Sequence, residues 1–242
     1  MSRARAVAAA VLGFVLLGAR AGAQPPEAAR ATEAADARAA APDAASEEAP
    51  GAGAQADTAA ARAPVERLYA ALGDVMGRAD ALGFEGRRAA LEPVVAQSYD
   101  VAFMAQLILG AEWKRLTPEQ RERWIETFTR FTVATYADRF DGPRVRFEIG
   151  AVQPAGGGTR LVRTKLHRRD DEPVELDYRV RAANGGWRIV DVYLSGTVSE
   201  LALRRSEYAA LLKREGFDAL LAAMERKIAA AKAGTAEQAG AP

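Results

Sequence analysis

The sequence contains no cysteine, and His167 is its single histidine. The lack of cysteine excludes a disulfide framework, a thiol nucleophile and a thiolate metal site. No phosphate-binding glycine loop, metal-ligand cluster or nucleophile elbow occurs in the chain. The 33 lysine and arginine residues nearly balance the 32 aspartate and glutamate residues, so the net charge creates no strong field for nucleic acid. These absences disfavour a polyanion-binding protein, and they predict neither a cofactor nor a metal.

Long apolar runs are also lacking, apart from one near the amino terminus. Arg3 and Arg5 precede an apolar run over residues 6–17, and the small residues 21–23 follow it. This order is typical of a secretory signal peptide over residues 1–23, removed by cleavage after the small residues. An uncleaved membrane anchor is the alternative, but a spanning helix needs about 20 apolar residues and this run is shorter. We therefore expect an exported protein.

Aromatic residues are absent from residues 24–63, which are mostly alanine with scattered proline, glycine and charged residues. Such a segment buries too little apolar surface to offset the entropy of ordering, although alanine favours transient helical turns. We predict a disordered Ala/Pro-rich spacer over 24–63 and a disordered tail over 233–242. Residues 64–232 remain, a length suited to one domain with its own core.

Helical periodicity dominates the first half of this domain. Two helices are expected, over 65–79 and 85–97. Asp100 can cap the following apolar helix, which Gly110 can end. Thr117 and Gln120 flank Pro118 in the pattern of a capping box, so a long helix should run to about residue 139.

The period changes to that of strands after residue 143. Apolar and charged residues alternate over 145–149, 159–167 and 174–181, and the apolar run 187–192 follows. Glycine-rich or charged turns separate these strands, which predicts a four-stranded antiparallel meander with one apolar face. Two more helices are expected, over 199–213 and 217–232, separated by Gly216. The fold class is therefore α+β: helices packed on one face of a curved sheet.

Two blocks resemble the periplasmic lipid-carrier family known as MlaC or toluene-tolerance auxiliary proteins. The first covers residues 100–136 and contains DVAFMAQLILG, Trp113 and TPEQR. The second covers 187–221 and contains WRIVDVYLSGTVSELALRRSEY. An extra residue between Gly196 and Ser199, and Leu203-Arg204 where many members have Asn-Tyr, are closest to the hopanoid-biosynthesis-associated branch (HpnM-like).

This resemblance implies an apolar cavity enclosed by helices and a curved sheet, and a periplasmic protein without enzyme activity. The implied cargo is a phospholipid, or a hopanoid or other polycyclic lipid. The implied partners are an inner-membrane lipid-transport ABC complex and an outer-membrane lipoprotein complex.

Eleven apolar residues are candidates to line this cavity. They are Phe147, Val162, Leu166, Leu176, Tyr178 and Val180 on the sheet, and Phe103, Leu107, Phe128, Phe131 and Leu201 on the buried sides of the helices. Periodicity alone does not separate a lined cavity from an ordinary packed core, in which the same residues fill each other's space.

The strand-to-helix junction over 187–208 has structural interpretations. Gly196 permits a sharp turn, and Trp187 anchors the core. Asp191 lies in an apolar strand, where a hydrogen-bonded pair with an arginine or a helix N-terminus is favoured over a catalytic base. The next helix has a basic side formed by Arg204, Arg205 and Lys213. This side could contact phosphate head groups or an acidic partner surface, or it could simply face solvent, which is the more frequent case.

Two other functions compete with lipid carriage. An isomerase-type cavity enzyme would use Asp177 or Asp191 as base and Tyr178 or Tyr193 as oxyanion donor, by analogy of fold alone. A non-enzymatic envelope adaptor would tether components through its spacer and basic helix, and its core would be filled.

Overall fold

The computed structural model describes residues 52–142, 145–168, 171–183 and 185–239, with side chains from residue 55 to residue 234 within these ranges. The predicted signal peptide and residues 24–51 of the predicted spacer lie outside the described residues. The helices are α1 Ala52–Gly77, α2 Ala79–Ser98, α3 Val101–Leu109, α4 Pro118–Arg139, α5 Glu200–Glu215 and α6 Phe217–Ala239. The strands are β1 Val145–Ala155, β2 Thr159–Arg168, β3 Val174–Ala183, β4 Gly186–Leu194 and β5 Val198–Ser199.

The folded part begins earlier than the sequence predicts. Residues 52–63, assigned to the spacer, belong to α1. Asp57 forms an ion pair of 2.7 Å with Arg160 of β2, Arg62 donates to the carbonyl of Gly150, and Ala61 is fully buried. These contacts with the sheet add to the high helix propensity of alanine, and together they order a segment that composition alone left unstructured. At the other end, α6 runs past residue 232 into the predicted tail.

Local capping signals mark the starts of α3 and α4 and the break between α5 and α6, as the sequence predicts. The Asp100 carboxylate accepts from the backbone N–H of Phe103 at 3.1 Å. Thr117 and Gln120 form both hydrogen bonds of a capping box at the start of α4. Gly216, at a φ of 88°, separates α5 from α6 in the left-handed region that favours glycine.

The sheet is an antiparallel meander in the order β1-β2-β3-β4-β5, curved and unclosed, so the predicted α+β class is confirmed. The predicted four strands are present, and the short β5 adds a fifth by folding back on β4 after the turn at Ser195 and Gly196. Register shifts interrupt the β1–β2 ladder between Ile149 and Val152 and the β3–β4 ladder between Arg179 and Val180. Such bulges increase the local twist and bend the sheet.

The exposed edge of β4 is covered at two places. Tyr99 forms a parallel bridge with Ile189, whose carbonyl accepts from the backbone N–H of Asp100 at 2.9 Å. The two residues of β5 pair with Tyr193 and Leu194 farther along the strand. These contacts fix the start of α3 and the start of α5 to the same strand.

The helices form the second layer. α1 packs against β1 to β4, α4 packs between α2 and α6, and α3 and α5 pack on each other beside β4. Arg87 of α2 is buried and donates to the carbonyls of Ala79 and Ala137, which ties α2 to the end of α4. The core therefore lies between the apolar face of the sheet and the helices.

Candidate functional site

One face of the sheet carries the apolar residues of the core. We call this face, formed by Val162, Leu166, Leu176, Tyr178 and Val180, the inner face. All five side chains are at most 5% exposed and belong to one hydrophobic cluster with residues of the helices. The alternation predicted for β2 and β3 is confirmed, because the residues between them in sequence carry the charges of the opposite, outer face.

A first row of aromatic rings runs from the inner face toward α4. Tyr69 of α1 contacts Tyr178 edge to face at 5.6 Å between ring centres and stacks on Phe147 at 4.1 Å. Phe140 lies 5.7 Å from Phe147 and 5.8 Å from Tyr136. Phe147, in the middle of this row, is half-buried, so it is the most exposed of the predicted lining residues of the sheet.

A second row of rings lies between α4 and α5. Trp124 stacks on Phe128 at 5.7 Å and meets Tyr208 of α5 edge to face at 6.0 Å. Phe131 lies 6.4 Å from Phe128. The predicted lining residues Phe128 and Phe131 are thus brought into the same core as the inner face. We call the two rows of rings together the aromatic interior.

Hydroxyl groups form a polar network within this apolar surrounding. The Tyr69 hydroxyl lies 2.7 Å from the Thr164 hydroxyl, which donates to the carbonyl of Leu176. The hydroxyls of Tyr99 and Tyr136 form another hydrogen bond. Burial raises the pKa of all four phenols, those of Tyr69, Tyr99, Tyr136 and Tyr178, so they remain protonated at neutral pH. Neutral phenols act as hydrogen-bond donors inside the core.

The ion pair between Arg204 and Glu200 of α5 lies against rings of the aromatic interior. The Arg204 Nε donates to Glu200 at 3.1 Å, and the two side chains are only 13% and 11% exposed. The Arg204 guanidinium carbon lies 5.7 Å from the ring centre of Phe128 and 5.3 Å from that of Phe131. The prediction that Arg204, Arg205 and Lys213 form one basic side of this helix is therefore wrong. Arg204 points inward, whereas Arg205 and Lys213 are exposed.

Three predicted lining residues lie elsewhere, in an open groove of about 330 Å³ beside β4. Phe103 and Leu107 of α3 and Leu201 of α5 form its apolar wall, and Arg179 and Arg181 form a cationic wall. The Arg181 guanidinium carbon lies 4.0 Å from the Phe103 ring centre and its nitrogen pairs with Asp100 at 2.6 Å. Phe103 and Leu107 are half-buried, because α3 turns Val101, Met104, Ala105 and Ile108 into the core instead. The expectation that they lie on the buried side of the helix is not met.

The junction between β4 and α5 is organised by Asp191. Its carboxylate accepts from the backbone N–H groups of Val192 and Leu201 at 2.8 and 3.1 Å, and from the Ser199 hydroxyl at 2.7 Å. Ser199 in turn caps α5 through the N–H of Ala202. The interpretation of Asp191 as a partner of a helix N-terminus is confirmed, and these bonds leave it fixed in place.

The other two junction residues also have structural roles. Gly196 has a φ of 69°, which confirms the sharp turn, and Trp187 is half-buried against the core. The Arg160 guanidinium carbon lies 5.7 Å from the Trp187 ring centre. The junction is thus a hydrogen-bonded corner that sets where α5 begins.

The residues considered for acid/base chemistry are divided between the two faces of the sheet: Tyr193, the cross-strand partner of Asp177, lies with it on the outer face, away from Tyr178. Asp177 and Tyr178 are neighbours on one strand and point to opposite faces of the sheet. Asp177 is bound on the outer face by Arg163 at 2.6 Å and by the Thr164 N–H. His167, on the same face, pairs with Glu148 at 2.9 Å. Across the described ranges, no group of three His, Cys, Asp or Glu residues could hold a metal. No helix within those ranges has the length and apolarity to cross a membrane.

Asp177 provides a test of electrostatics at the outer face. Burial raises the pKa of its carboxyl above the ordinary value, although the Thr164 N–H and Arg163 oppose the rise. A carboxyl with a raised pKa in the folded state stabilises the fold below its unfolded pKa of about 3.9 and loses this contribution as pH rises. Asp177→Asn does not titrate. Its free energy of unfolding, relative to wild type, should therefore increase between about pH 4 and pH 7, as measured by urea unfolding.

Gln153→Asn, which exchanges one exposed amide for another on β1, adds or removes no titrating group; it is the control and should show a flat difference. A relative stability of Asp177→Asn that declines toward neutral pH would mean that the ion pair with Arg163 outweighs burial.

Sequence reasoning missed the tyrosine network and the inward ion pair, although both carried a signal. Tyr69 follows Leu68 on the buried stripe of α1, at helical spacing from Leu72. Glu200, Arg204 and Tyr208 recur every four residues, which places them on one face of α5. That this face is buried follows only from its packing against α3 and the rings of α4.

The fold and site define a class: a small α+β protein in which helices cover the inner face of an open antiparallel sheet. Residues 67–226 match the MlaC protein family, and the chain belongs to that family. The fold is also similar to a phospholipid-binding protein from Ralstonia solanacearum, solved in complex with a phospholipid, at a TM-score of 0.61 and 21% identity. The match covers 72% of this chain and 98% of the other. The predicted family is confirmed; the hopanoid-associated branch stays a prediction.

Proposed function

We propose that this protein is a periplasmic lipid carrier, exported by a cleaved signal peptide, that holds the apolar part of a lipid in the aromatic interior. It would shuttle this cargo between an outer-membrane lipoprotein complex and an inner-membrane ABC complex, as an auxiliary component of transport without enzyme activity. One observation carries the proposal: the inner face of the sheet is apolar and is covered by helices that contribute aromatic side chains, in a chain of the MlaC family. The phospholipid bound to the Ralstonia protein of the same fold supports this choice of ligand.

The physical need for such a carrier is large. A lipid tail that leaves a bilayer for water loses about 0.8 kcal/mol per methylene, so a chain of about 16 carbons loses on the order of 12 kcal/mol. The 22 residues of α4 extend over roughly 33 Å, which is longer than an extended tail of this length. The helix and the strands opposite it are therefore long enough to shield one tail along its full length.

The cargo is either a phospholipid or a polycyclic lipid of the hopanoid type. The sequence around 196–204 favours the hopanoid-associated branch, whereas the Ralstonia protein favours a phospholipid. Both cargoes need the same apolar surroundings, so the chemical identity of the extracted lipid separates them.

The proposal predicts that the mature protein carries lipid through purification. Native mass spectrometry should show an adduct of lipid mass, and organic extraction followed by lipid mass spectrometry should identify it. Protein refolded from denaturant without lipid is the control, and it should regain the adduct when lipid is supplied. Consistent absence of lipid from both preparations would refute the carrier and favour the envelope adaptor.

A further inference from the structure

Arg204 is unusual because it places a cation where the proposed function needs an apolar lining. Its side chain is 13% exposed and lies against the rings of Phe128 and Phe131, two predicted lining residues. A buried ion pair adds little stability compared with apolar residues of the same volume, because desolvation offsets the attraction. Stability alone therefore does not account for the arginine, and its position favours a role in binding a ligand of opposite charge.

The surroundings of Arg204 fit an anionic group of a ligand. Its positive charge also acts on Tyr99 and Tyr136, because it partly offsets the effect of burial on the pKa of both phenols. The guanidinium and the phenols are donors of the kind that bind phosphate oxygens. Arg139, beside Asp138, is a second guanidinium in this region, and its pKa is lowered by burial.

Glu200, which pairs with Arg204, has a second favourable interaction available to its carboxylate. Glu200 is the first residue of α5, directly after the capping residue Ser199. A negative charge in the first turn of a helix is stabilised by the unpaired N–H groups there. Glu200 can therefore release Arg204 to an incoming anion without becoming an uncompensated charge.

We infer that Arg204 is the recognition residue for the phosphate group of a bound lipid, which replaces Glu200 on its guanidinium while the tail lies along the Phe128 and Phe131 rings. This inference rests on the proposed function and deepens it. It specifies the cargo as an amphiphile with an anionic phosphate next to its apolar part. A neutral lipid with the same tails would leave the Glu200–Arg204 pair intact and would lack this interaction.

The test is a competition between two lipids that differ only in the phosphate-bearing head group. Delipidated protein is mixed with equimolar phosphatidylglycerol and diacylglycerol with identical acyl chains in detergent micelles, and native mass spectrometry measures the occupancy of each. Wild type should prefer phosphatidylglycerol by roughly tenfold or more, as expected for a charge-assisted hydrogen-bonded pair. Arg204→Met, which keeps the apolar stem and removes the guanidinium, should lose this preference and still bind diacylglycerol.

A second variant keeps the test decisive if Arg204→Met does not fold. Glu200→Gln removes the competing carboxylate and should raise the preference for phosphatidylglycerol above that of wild type. Arg205→Met, at an exposed position of the same helix, is the matched control and should leave the preference unchanged. Far-ultraviolet circular dichroism and thermal unfolding establish that each variant is folded.

The outcomes separate the two proposals. Wild type that binds neither lipid would overturn the carrier itself. Equal binding of both lipids by wild type, or an unchanged preference in folded Arg204→Met or in Glu200→Gln, would overturn the role of Arg204 and leave the carrier standing. Excess glycerol phosphate should not displace phosphatidylglycerol, because the tail supplies most of the affinity. Displacement would assign the site to a free phosphate compound and overturn its assignment to a lipid.

Discussion

Protein with the substitution Leu176→Glu should retain less than roughly one tenth of the lipid that wild type carries through purification. Leu176 lies on the inner face, 5% exposed, opposite Leu194 of β4. A carboxylate at this position would face the lipid tail, and burying an unpaired charge costs several kcal/mol, whereas about 1.4 kcal/mol already changes an equilibrium tenfold. Native mass spectrometry with quantitative lipid extraction measures the retained fraction.

Ala151→Glu is the matched control, since it adds the same charge to the sheet at an exposed position of β1. It should retain lipid at the wild-type level. Leu176→Trp tests the same position without a charge, because the larger ring occupies the space of the tail. Full retention in folded Leu176→Glu and in folded Leu176→Trp would place the lipid away from the inner face of β3.

The largest loss of stability is expected for Trp124→Ala. Trp124 is fully buried, its indole N–H donates to the carbonyl of Ala105 at 3.0 Å, and its ring contacts Phe128 and Tyr208. It therefore joins α3, α4 and α5 at one point. Replacing such a ring by a methyl group removes about 3–5 kcal/mol from the free energy of unfolding. Urea unfolding should show this loss, and thermal unfolding a decrease in Tm of about 10 °C.

Trp113→Ala provides the comparison at a half-buried indole in the short 3₁₀ helix Gly110–Arg115, which lies between α3 and α4. Less apolar area is removed there, so the loss should be about 1 kcal/mol. Trp124→Phe keeps most of the ring and removes the hydrogen bond, which should place it between the two. Equal losses for Trp113→Ala and Trp124→Ala would mean that the ring of Trp124 does not join the three helices.

Local signals in the sequence were sufficient for most of the secondary structure. The capping box at Thr117, the cap at Asp100 and the break at Gly216 involve residues three or four positions apart, so their geometry is written in the local sequence. The alternation in β2 and β3 likewise assigns the two faces of the sheet. The start of α1 at Ala52 was missed because its order depends on contacts with β1 and β2, far away in sequence.

The candidate site was predicted only in part. The sheet residues and Phe128 and Phe131 meet in one core, as their periodicity indicates. Phe103 and Leu107 could not be placed, because α3 is apolar on most sides and only its packing decides which side is buried. Together with Leu201, they line the open groove beside β4 instead.

The sequence by itself determined the α+β class, the order of helices and strands, the membership of the MlaC family and the inner face of the sheet. Each of these follows from interactions between near neighbours or from an ordered pattern of residues. The tertiary structure alone decided that Arg204 points inward, that the hydroxyls of Tyr69, Tyr99 and Tyr136 form buried hydrogen bonds and that Asp191 binds the start of α5. These facts depend on how α5 and α1 are placed against distant elements, and no local pattern encodes that placement.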